Sequence, residues 1–486
     1  MNRALLRLSL ACLAMFVLLL LNVNYVQAFR SSKLANEAGN VRVFNQQFKY
    51  QRGSIKAGDT TIAASRLLKG NSGNYRRHYP QAQVYAPITG YDEPFGATGL
   101  EAAESSMLAG TNPKLAVHNL ISLVTGKGRE GGTVYTTIVP AVQQAAYDAL
   151  KAEGRESGVV ALDVKTGAIL AMASYPSYDP NKFVTLTGKK LDRYDTALQL
   201  APGHPLLNHT TQLTYHPGSS FKIITSAAAL TTGKVASPEA TIPAPTTLAL
   251  GGGTLTNDSG ACGDGHPPMI FAFTISCNTA FGLLGQKVTG PVLRDYADRF
   301  GFNNSKLTVP LPVVASVFPR VSDPNFTALQ AIGQSSDEIT PLQEAMNAQT
   351  VANGGTELAP YLVQKIQAPD LSTVQSATSQ VLARPISPSV ASQLTQMMIQ
   401  VTTNTAGTAY ATANPGVAGV TIAGKTGTAQ TGLGNSGLDD AVFTCFAPAS
   451  SPEIAVGVIV KGGGFGADAA APIAVKIIQA YLGINK

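Results

Sequence analysis

One Ser-x-x-Lys occurs in the chain, Ser219-Ser220-Phe221-Lys222. If position 219 opens a helix, residues 219 and 222 lie one turn apart on a shared face. A serine hydroxyl is a weak nucleophile, and an amine beside it supplies the base it needs. That amine has to be neutral, which burial and a second nearby cation both favour. A helix N-terminus also offers free N–H groups and positive potential to a developing oxyanion. Taken alone, the tetrapeptide reads more readily as a surface helix start capped by serine.

Two further patterns occur twice each. Ser-x-Asn stands at Ser72-Gly73-Asn74 and at Ser276-Cys277-Asn278. The first lies in a polar Gly/Asn stretch and reads as a loop. The second sits between the apolar runs Met269–Ile275 and Ala280–Leu284. Its hydroxyl and amide therefore fall at a buried edge and need partners. There Ser276 could relay a proton and Asn278 could hold a substrate carbonyl; a helix cap is the plainer alternative. Lys165-Thr166-Gly167 joins two apolar runs and reads as a hairpin turn. Lys425-Thr426-Gly427-Thr428 instead continues directly from Val420–Gly424, inside a strand. Gly427 would let another backbone or a ligand come close. Lys425, Thr426 and Thr428 could hold a carboxylate.

The elements that must carry these residues fall in a simple order. Residues 30 to about 135 are polar and irregular, with strand-like pieces at Val41-Arg42-Val43 and Gln83-Val84-Tyr85. Leu115–Thr125 has the spacing of a helix, and Gly131-Gly132 reads as a linker. Pro140–Glu153 has helical spacing with proline near its start. Val159–Val164 and Ala168–Ser174 read as a strand–turn–strand unit. Phe221–Leu230 and Ser389–Val401 read as helices. Val420–Thr428, Ala441–Ala447 and Ile454–Lys461 are strand-like, and Ala471–Leu482 closes the chain as a helix. Two early strands, central helices and three late strands suit an α+β fold whose antiparallel sheet is assembled from both ends.

The N-terminus has the features of an export segment. Arg3 and Arg7 precede an apolar stretch from Leu8 to Leu21 that continues toward Ala28. It is long enough to cross a bilayer as an uncleaved anchor, with the arginines left in the cytoplasm. Val26-Gln27-Ala28 would alternatively serve as a cleavage site. Export permits disulfides. Cys262 and Cys277 are close in sequence, with Gly-Asp-Gly and Pro-Pro between them, and we expect them to pair. Three unpaired small hydrophobes remain the alternative, and Cys445 reads as a buried free thiol.

Composition narrows the function further. The chain has 486 residues, with 35 Lys+Arg against 29 Asp+Glu. The resulting +6 is spread thinly, without the basic run that nucleic acid requires. With 44% hydrophobic and 13% charged residues the chain is not of the disordered class. No HExxH or CxxC is present, so no metal site is implied. His204, His209 and His216 invite a histidine-based triad, but Lys222 already supplies a base.

Ser-x-x-Lys, Ser-x-Asn and Lys-Thr-Gly, in this order, mark penicillin-recognising serine enzymes. The chain resembles class B penicillin-binding proteins in particular. Arg52-Gly53-Ser54-Ile55 and Gly99-Leu100-Glu101 resemble their N-terminal landmarks. Gly333-Gln334, Thr340-Pro341-Leu342-Gln343 and Asn353-Gly354-Gly355 resemble later ones. Asn40-x-Arg42 and Tyr85-Ala86-Pro87-Ile88-Thr89-Gly90 look closest to an actinobacterial branch.

The resemblance implies a five-stranded antiparallel sheet flanked by helices, a smaller N-terminal pedestal and a membrane anchor. The expected divisions are 1–29 for the cytoplasmic tail and anchor, 30–135 for the pedestal, and 136–486 for the transpeptidase domain. The resemblance further implies a D,D-transpeptidase outside the cytoplasm. Ser219 would be acylated by a stem peptide ending in D-Ala-D-Ala, with Lys222 as base and Ser276 as proton relay. Asn278 would bind the donor peptide, and Lys425, Thr426, Gly427 and Thr428 would line its carboxylate subsite. Backbone N–H groups of Ser219 and Thr428 would stabilise the oxyanion. β-Lactams would inhibit by acylating Ser219. No cofactor is implied; the expected partners are the membrane, a separate glycan polymerase and division proteins. The alternatives are a β-lactamase or D,D-carboxypeptidase, where water is the acceptor, and a non-catalytic β-lactam-binding scaffold or sensor.

Overall fold

The computed structural model describes residues 3–30, 48–68, 74–93, 96–116, 118, 128–258, 260–414, 417, 419–430 and 439–483. The strand-like Val41–Val43, most of the expected 115–125 helix, the Asn40-x-Arg42 landmark and the Ser72-Gly73 half of the first Ser-x-Asn lie outside them.

Arg3–Tyr25 is one continuous helix. Its Leu6–Tyr25 part has a mean hydropathy of 2.3 and no buried share. This is the length a helix needs to cross a bilayer.

In the main body we number the strands β1 (Ser157–Asp163), β2 (Ile169–Tyr175), β3 (Ala423–Ala429), β4 (Asp440–Ala447) and β5 (Ile454–Val460). Helices are α1 (Pro140–Glu153), α2 (Lys222–Thr231), α3 (Asn278–Val288), α4 (Pro341–Ala352), α5 (Pro388–Thr403) and α6 (Ala470–Leu482). The sheet runs β3-β4-β5-β1-β2, every pair antiparallel. Val160 stands opposite Gly457, so segments almost 300 positions apart form adjacent central strands. Near-continuous apolar runs are what a sheet covered on both faces requires. α1 and α6 cover one face, and α4 covers the other.

Gly457 explains how closely α4 sits. A Cβ there would meet Pro341 O at 2.6 Å and Glu344 Cβ at 2.7 Å. α4 is buried along nearly its whole length, so its polar residues need internal partners. Gln343 Nε2 donates to Phe300 O at 2.6 Å, and Gln349 Nε2 donates to Val164 O at 3.0 Å.

The N-terminal unit is built on a six-stranded sheet. Its order is Thr373–Ser376, Val363–Gln367, Thr133–Thr136, Ile55–Ala57, Thr60–Leu67, Tyr75–His78. Two of these strands come from beyond residue 135, so a sheet joins the two expected regions. Gln143 adds a second tie, with Nε2 donating to Val84 O at 2.8 Å and to Met172 O at 2.9 Å.

Two local readings are corrected. Gln83-Val84-Tyr85 is not a strand but lies in the helix Ala82–Thr89, where Val84 and Ile88 are buried one turn apart. Three alternating residues are too short a window to separate the two periods. Gly131-Gly132 is not a linker. A Cβ on Gly131 would sit 2.5 Å from Gly53 N, so glycine lets two backbones cross there.

Candidate active site

The turn that carries Ser219 forms where the chain enters α2. Gly218–Phe221 is a short 3-10 turn that runs into Lys222–Thr231. Gly218 has φ +53°, and its N–H donates to Gly333 O at 2.9 Å. The sequence placed the helix start within a residue of this. The i,i+3 geometry holds: Lys222 Nζ lies 2.9 Å from Ser219 Oγ.

Ser276 precedes α3 with φ +61°, a left-handed conformation that a non-glycine residue rarely adopts. It presents both its carbonyl and its hydroxyl to the lysine. Lys222 Nζ is 2.8 Å from Ser276 O, 3.1 Å from Ser276 Oγ and 2.7 Å from Asn278 Oδ1. Cys277 and Cys262 form a disulfide that ties this segment to the loop after the Thr247–Thr256 hairpin. Cys445 is a buried free thiol in β4.

β3 is the outer strand of the sheet and borders the cleft. Lys425 Nζ donates to Ser276 Oγ at 3.0 Å and to Thr426 O at 2.9 Å. Thr426 Oγ1 meets Thr408 Oγ1 at 2.6 Å. A Cβ on Gly427 would stand 2.6 Å from Pro217 O, so the strand reaches the Ser219 turn only because position 427 is glycine. Thr428 O accepts from Gln334 Nε2 at 3.3 Å, across the sheet edge. In an antiparallel strand a residue's C=O and N–H point the same way, so the Thr428 N–H also faces the cleft.

The cleft itself holds about 330 Å³ and is lined by Ser219, Ser276, Thr408, Thr426 and Thr428, with Asp258 and Phe465 at its rim. A larger cavity of about 520 Å³ lies elsewhere, between the Ala82–Thr89 helix and Asn208–Gln212, away from these groups.

Electrostatics suit base chemistry. Burial, with Lys425 beside it, holds the Lys222 amine well below the usual lysine range, against a weaker opposing pull from Asp258. Burial likewise brings Lys425 down to about 7, again opposed by Asp258. A neutral Lys222 has two N–H donors and one lone pair. It can donate to Ser276 O and Asn278 Oδ1 while accepting the Ser219 proton.

Thus Ser219, Lys222, Ser276, Asn278 and the 425–428 segment converge from three separate stretches. The duplicate motif does not join them. Lys165-Thr166-Gly167 is the β1–β2 turn, where Asp163 Oδ1 accepts from Thr166 N at 2.8 Å. His216 Nδ1 lies against Asp337 O at 2.9 Å, and His209 Nε2 lies against His204 O at 3.3 Å. Sequence reasoning did not single out Thr408, Asp258 or Glu344. They belong to no motif, and only the fold brings them to the site.

Comparison with known proteins gives the family. Residues 157–479 match the family described as the penicillin binding protein transpeptidase domain. Residues 52–134 match the penicillin binding protein A dimerisation domain. The chain belongs to the penicillin-binding transpeptidases and, within them, to the penicillin-binding protein A group. The peptidoglycan D,D-transpeptidase PbpA of Mycolicibacterium smegmatis is 39% identical, with 99% of each chain covered. Its Mycobacterium tuberculosis counterpart is 38% identical over the same shares. A ceftriaxone acyl-enzyme of M. tuberculosis penicillin-binding protein A superposes with a TM-score of 0.85, at 36% identity over 90% of this chain and 99% of that one. The penicillin G acyl-enzyme gives 0.83 at 37%, over 89% and 100%.

Proposed function

We propose that Ser219 is the acylated nucleophile of a peptidoglycan D,D-transpeptidase and that Lys222 is its base. The observation that carries this is the 2.9 Å contact between Ser219 Oγ and a fully buried lysine amine with no carboxylate bonded to it among the described residues. The relatives' names and the acyl-enzyme structures support the same reading.

The steps follow from the geometry. Ser219 Oγ attacks the penultimate D-Ala carbonyl of a stem peptide as its proton passes to Lys222 Nζ. The N–H groups of Ser219 and Thr428 hold the oxyanion. The C–N bond breaks, and the departing D-Ala nitrogen takes a proton through Ser276 Oγ, which lies within 3.1 Å of both lysines. Lys425, Thr426 and Thr428 receive the terminal carboxylate, whose charge favours the protonated form of Lys425. Gly427 keeps that strand in place, and Asn278 holds the donor peptide. An amine from a neighbouring stem then attacks the ester and frees Ser219. β-Lactams acylate Ser219 and leave slowly.

The apolar Arg3–Tyr25 helix serves as the anchor, with the catalytic region outside the cytoplasm. A separate glycan polymerase and division proteins are the proposed partners.

Intact-mass spectrometry with benzylpenicillin tests the reading. One stable adduct on the wild type and none on Ser219→Ala is the expected result. Rapid loss of the adduct with penicilloate release would favour a β-lactamase. A folded wild type that takes no adduct would leave a scaffold.

A further inference from the structure

Glu344 lies directly beneath the nucleophile turn, on α4, and is fully buried. Its Oε1 is 2.5 Å from Ser220 Oγ, the hydroxyl next to Ser219. Its Oε2 is 2.5 Å from Thr444 Oγ1 on β4. Ser220 Oγ is also 2.9 Å from Pro217 O, and Thr444 Oγ1 is 3.1 Å from Glu344 O.

These four oxygen–oxygen contacts would take four protons, and the two hydroxyls carry two. A carboxylate brings none and leaves two contacts with lone pair against lone pair. A carboxylic acid brings a third. Glu344 then donates to Ser220 Oγ, Ser220 donates to Pro217 O, and Thr444 donates to Glu344 Oε2. Only the longest contact, 3.1 Å, lacks a proton.

The surroundings agree. Elements packed on α4 carry Asp163 on β1, Asp440 and Cys445 on β4, and Glu357 beside it, while Lys425 lies one strand further out on β3 and Lys222 follows the Ser219 turn on α2. None of them is ion-paired or hydrogen-bonded to Glu344 among the described residues. Lys425 stands opposite Thr444 in register but turns its amine to Ser276. Burial alone pushes the Glu344 carboxyl up to about 7, against the two hydroxyl contacts.

We propose that Glu344 is a positioning residue that holds the Pro217–Phe221 turn as a neutral carboxylic acid, through Ser220. Loss of its proton turns the Ser220 hydroxyl toward the carboxylate and away from Pro217 O, and the turn that aims Ser219 loosens. This rests on Ser219 being the nucleophile.

The test is the acylation rate of the full chain in detergent by a fluorescent penicillin, from about pH 6 to about pH 9. Glu344→Gln keeps one donor edge and one acceptor edge but cannot titrate. At the acid end its rate is expected within about threefold of wild type, and at the alkaline end to exceed it by roughly fivefold. Glu344→Leu is expected to lose roughly tenfold throughout. A Glu344→Gln to wild-type ratio that stays constant with pH overturns the proposal. Infrared difference spectra, wild type minus Glu344→Gln, single out this carboxyl from Asp337 and Glu357, which burial also raises. A protonated-carboxyl C=O band in that difference that vanishes in step with acylation supports the proposal, and no such band at the acid end overturns it. Ser219→Ala separates the two readings: acylation surviving there sinks the nucleophile assignment and leaves the Glu344 band to be judged alone.

Discussion

The pedestal and the cleft both keep charged side chains out of water, and they do so in opposite ways. In the pedestal Glu101 is fully buried between two arginines. Arg52 Nε and Arg77 Nε each donate to it at 2.7 Å. Arg77 Nη1 also donates to Gly53 O at 2.9 Å. Asp92 lies 3.5 Å from Arg52, and burial pushes its carboxyl up to about 6, against that cation's pull. In the cleft, Lys222 and Lys425 are as deeply buried, but their bonded partners are hydroxyls, carbonyls and an amide. Opposite charges in contact make a rigid joint. Like charges sharing neutral acceptors surrender a proton more easily, which is what a base requires.

That contrast breaks most sharply at Lys222. Lys222→Met should cut penicillin acylation by about 10²–10⁴-fold while the thermal midpoint stays near wild type or rises. Stopped-flow acylation and a melting curve read the two effects separately.

The reverse pattern is expected in the pedestal. Glu101→Ala leaves Arg52 and Arg77 buried without their carboxylate and should cost about 3–5 kcal/mol in urea unfolding. Acylation by the folded fraction should be unchanged. A large loss of acylation at unchanged stability would erase the distinction between joint and site.

pH sharpens the comparison. Lys222 is depressed, so its neutral form and its contribution to stability are lost as pH falls through the folded-state value. Acylation should decline on the acid side, and pH–rate profiles check this. Glu344 is raised, so its contribution is full below the ordinary carboxylate range and is lost as pH climbs toward about 7. Glu344→Gln should flatten that part of a stability–pH curve.

Smaller effects follow from packing. Gly427→Ala drives a methyl against Pro217 O at 2.6 Å and Val442 Cβ at 2.9 Å. It should destabilise by roughly 1–3 kcal/mol and slow acylation as well, since both contacts border the nucleophile turn. Thr340 Oγ1 caps α4 by accepting from Gln343 N at 3.1 Å. Thr340→Ala should cost about 1 kcal/mol by denaturant titration and leave acylation alone.

Legibility in the sequence followed distance along the chain. The Ser219–Lys222 contact was readable because one helical turn brings i and i+3 together without help from the rest of the fold. The five sheet strands were readable from their apolar runs, to within about three residues at either end. Lys165-Thr166-Gly167 and Lys425-Thr426-Gly427 share a tripeptide, and only flanking pattern separated turn from strand. The shared pedestal sheet was not readable. Val363–Gln367 carries no mark of pairing with Thr133–Thr136 more than 200 positions away.

Amino-acid order by itself determined the one-turn pairing of Ser219 with Lys222, the periodicity of the main elements, the apolar N-terminal helix and the class of chemistry. These rest on local geometry and on residue type. Tertiary structure alone decided that Ser276, Asn278 and Lys425 surround one amine, that Thr428 turns its N–H into the cleft, and that Glu344 sits beneath Ser220. Each depends on burial and on contacts between distant segments, and those set both the orientation of a donor and the proton an ionisable group keeps.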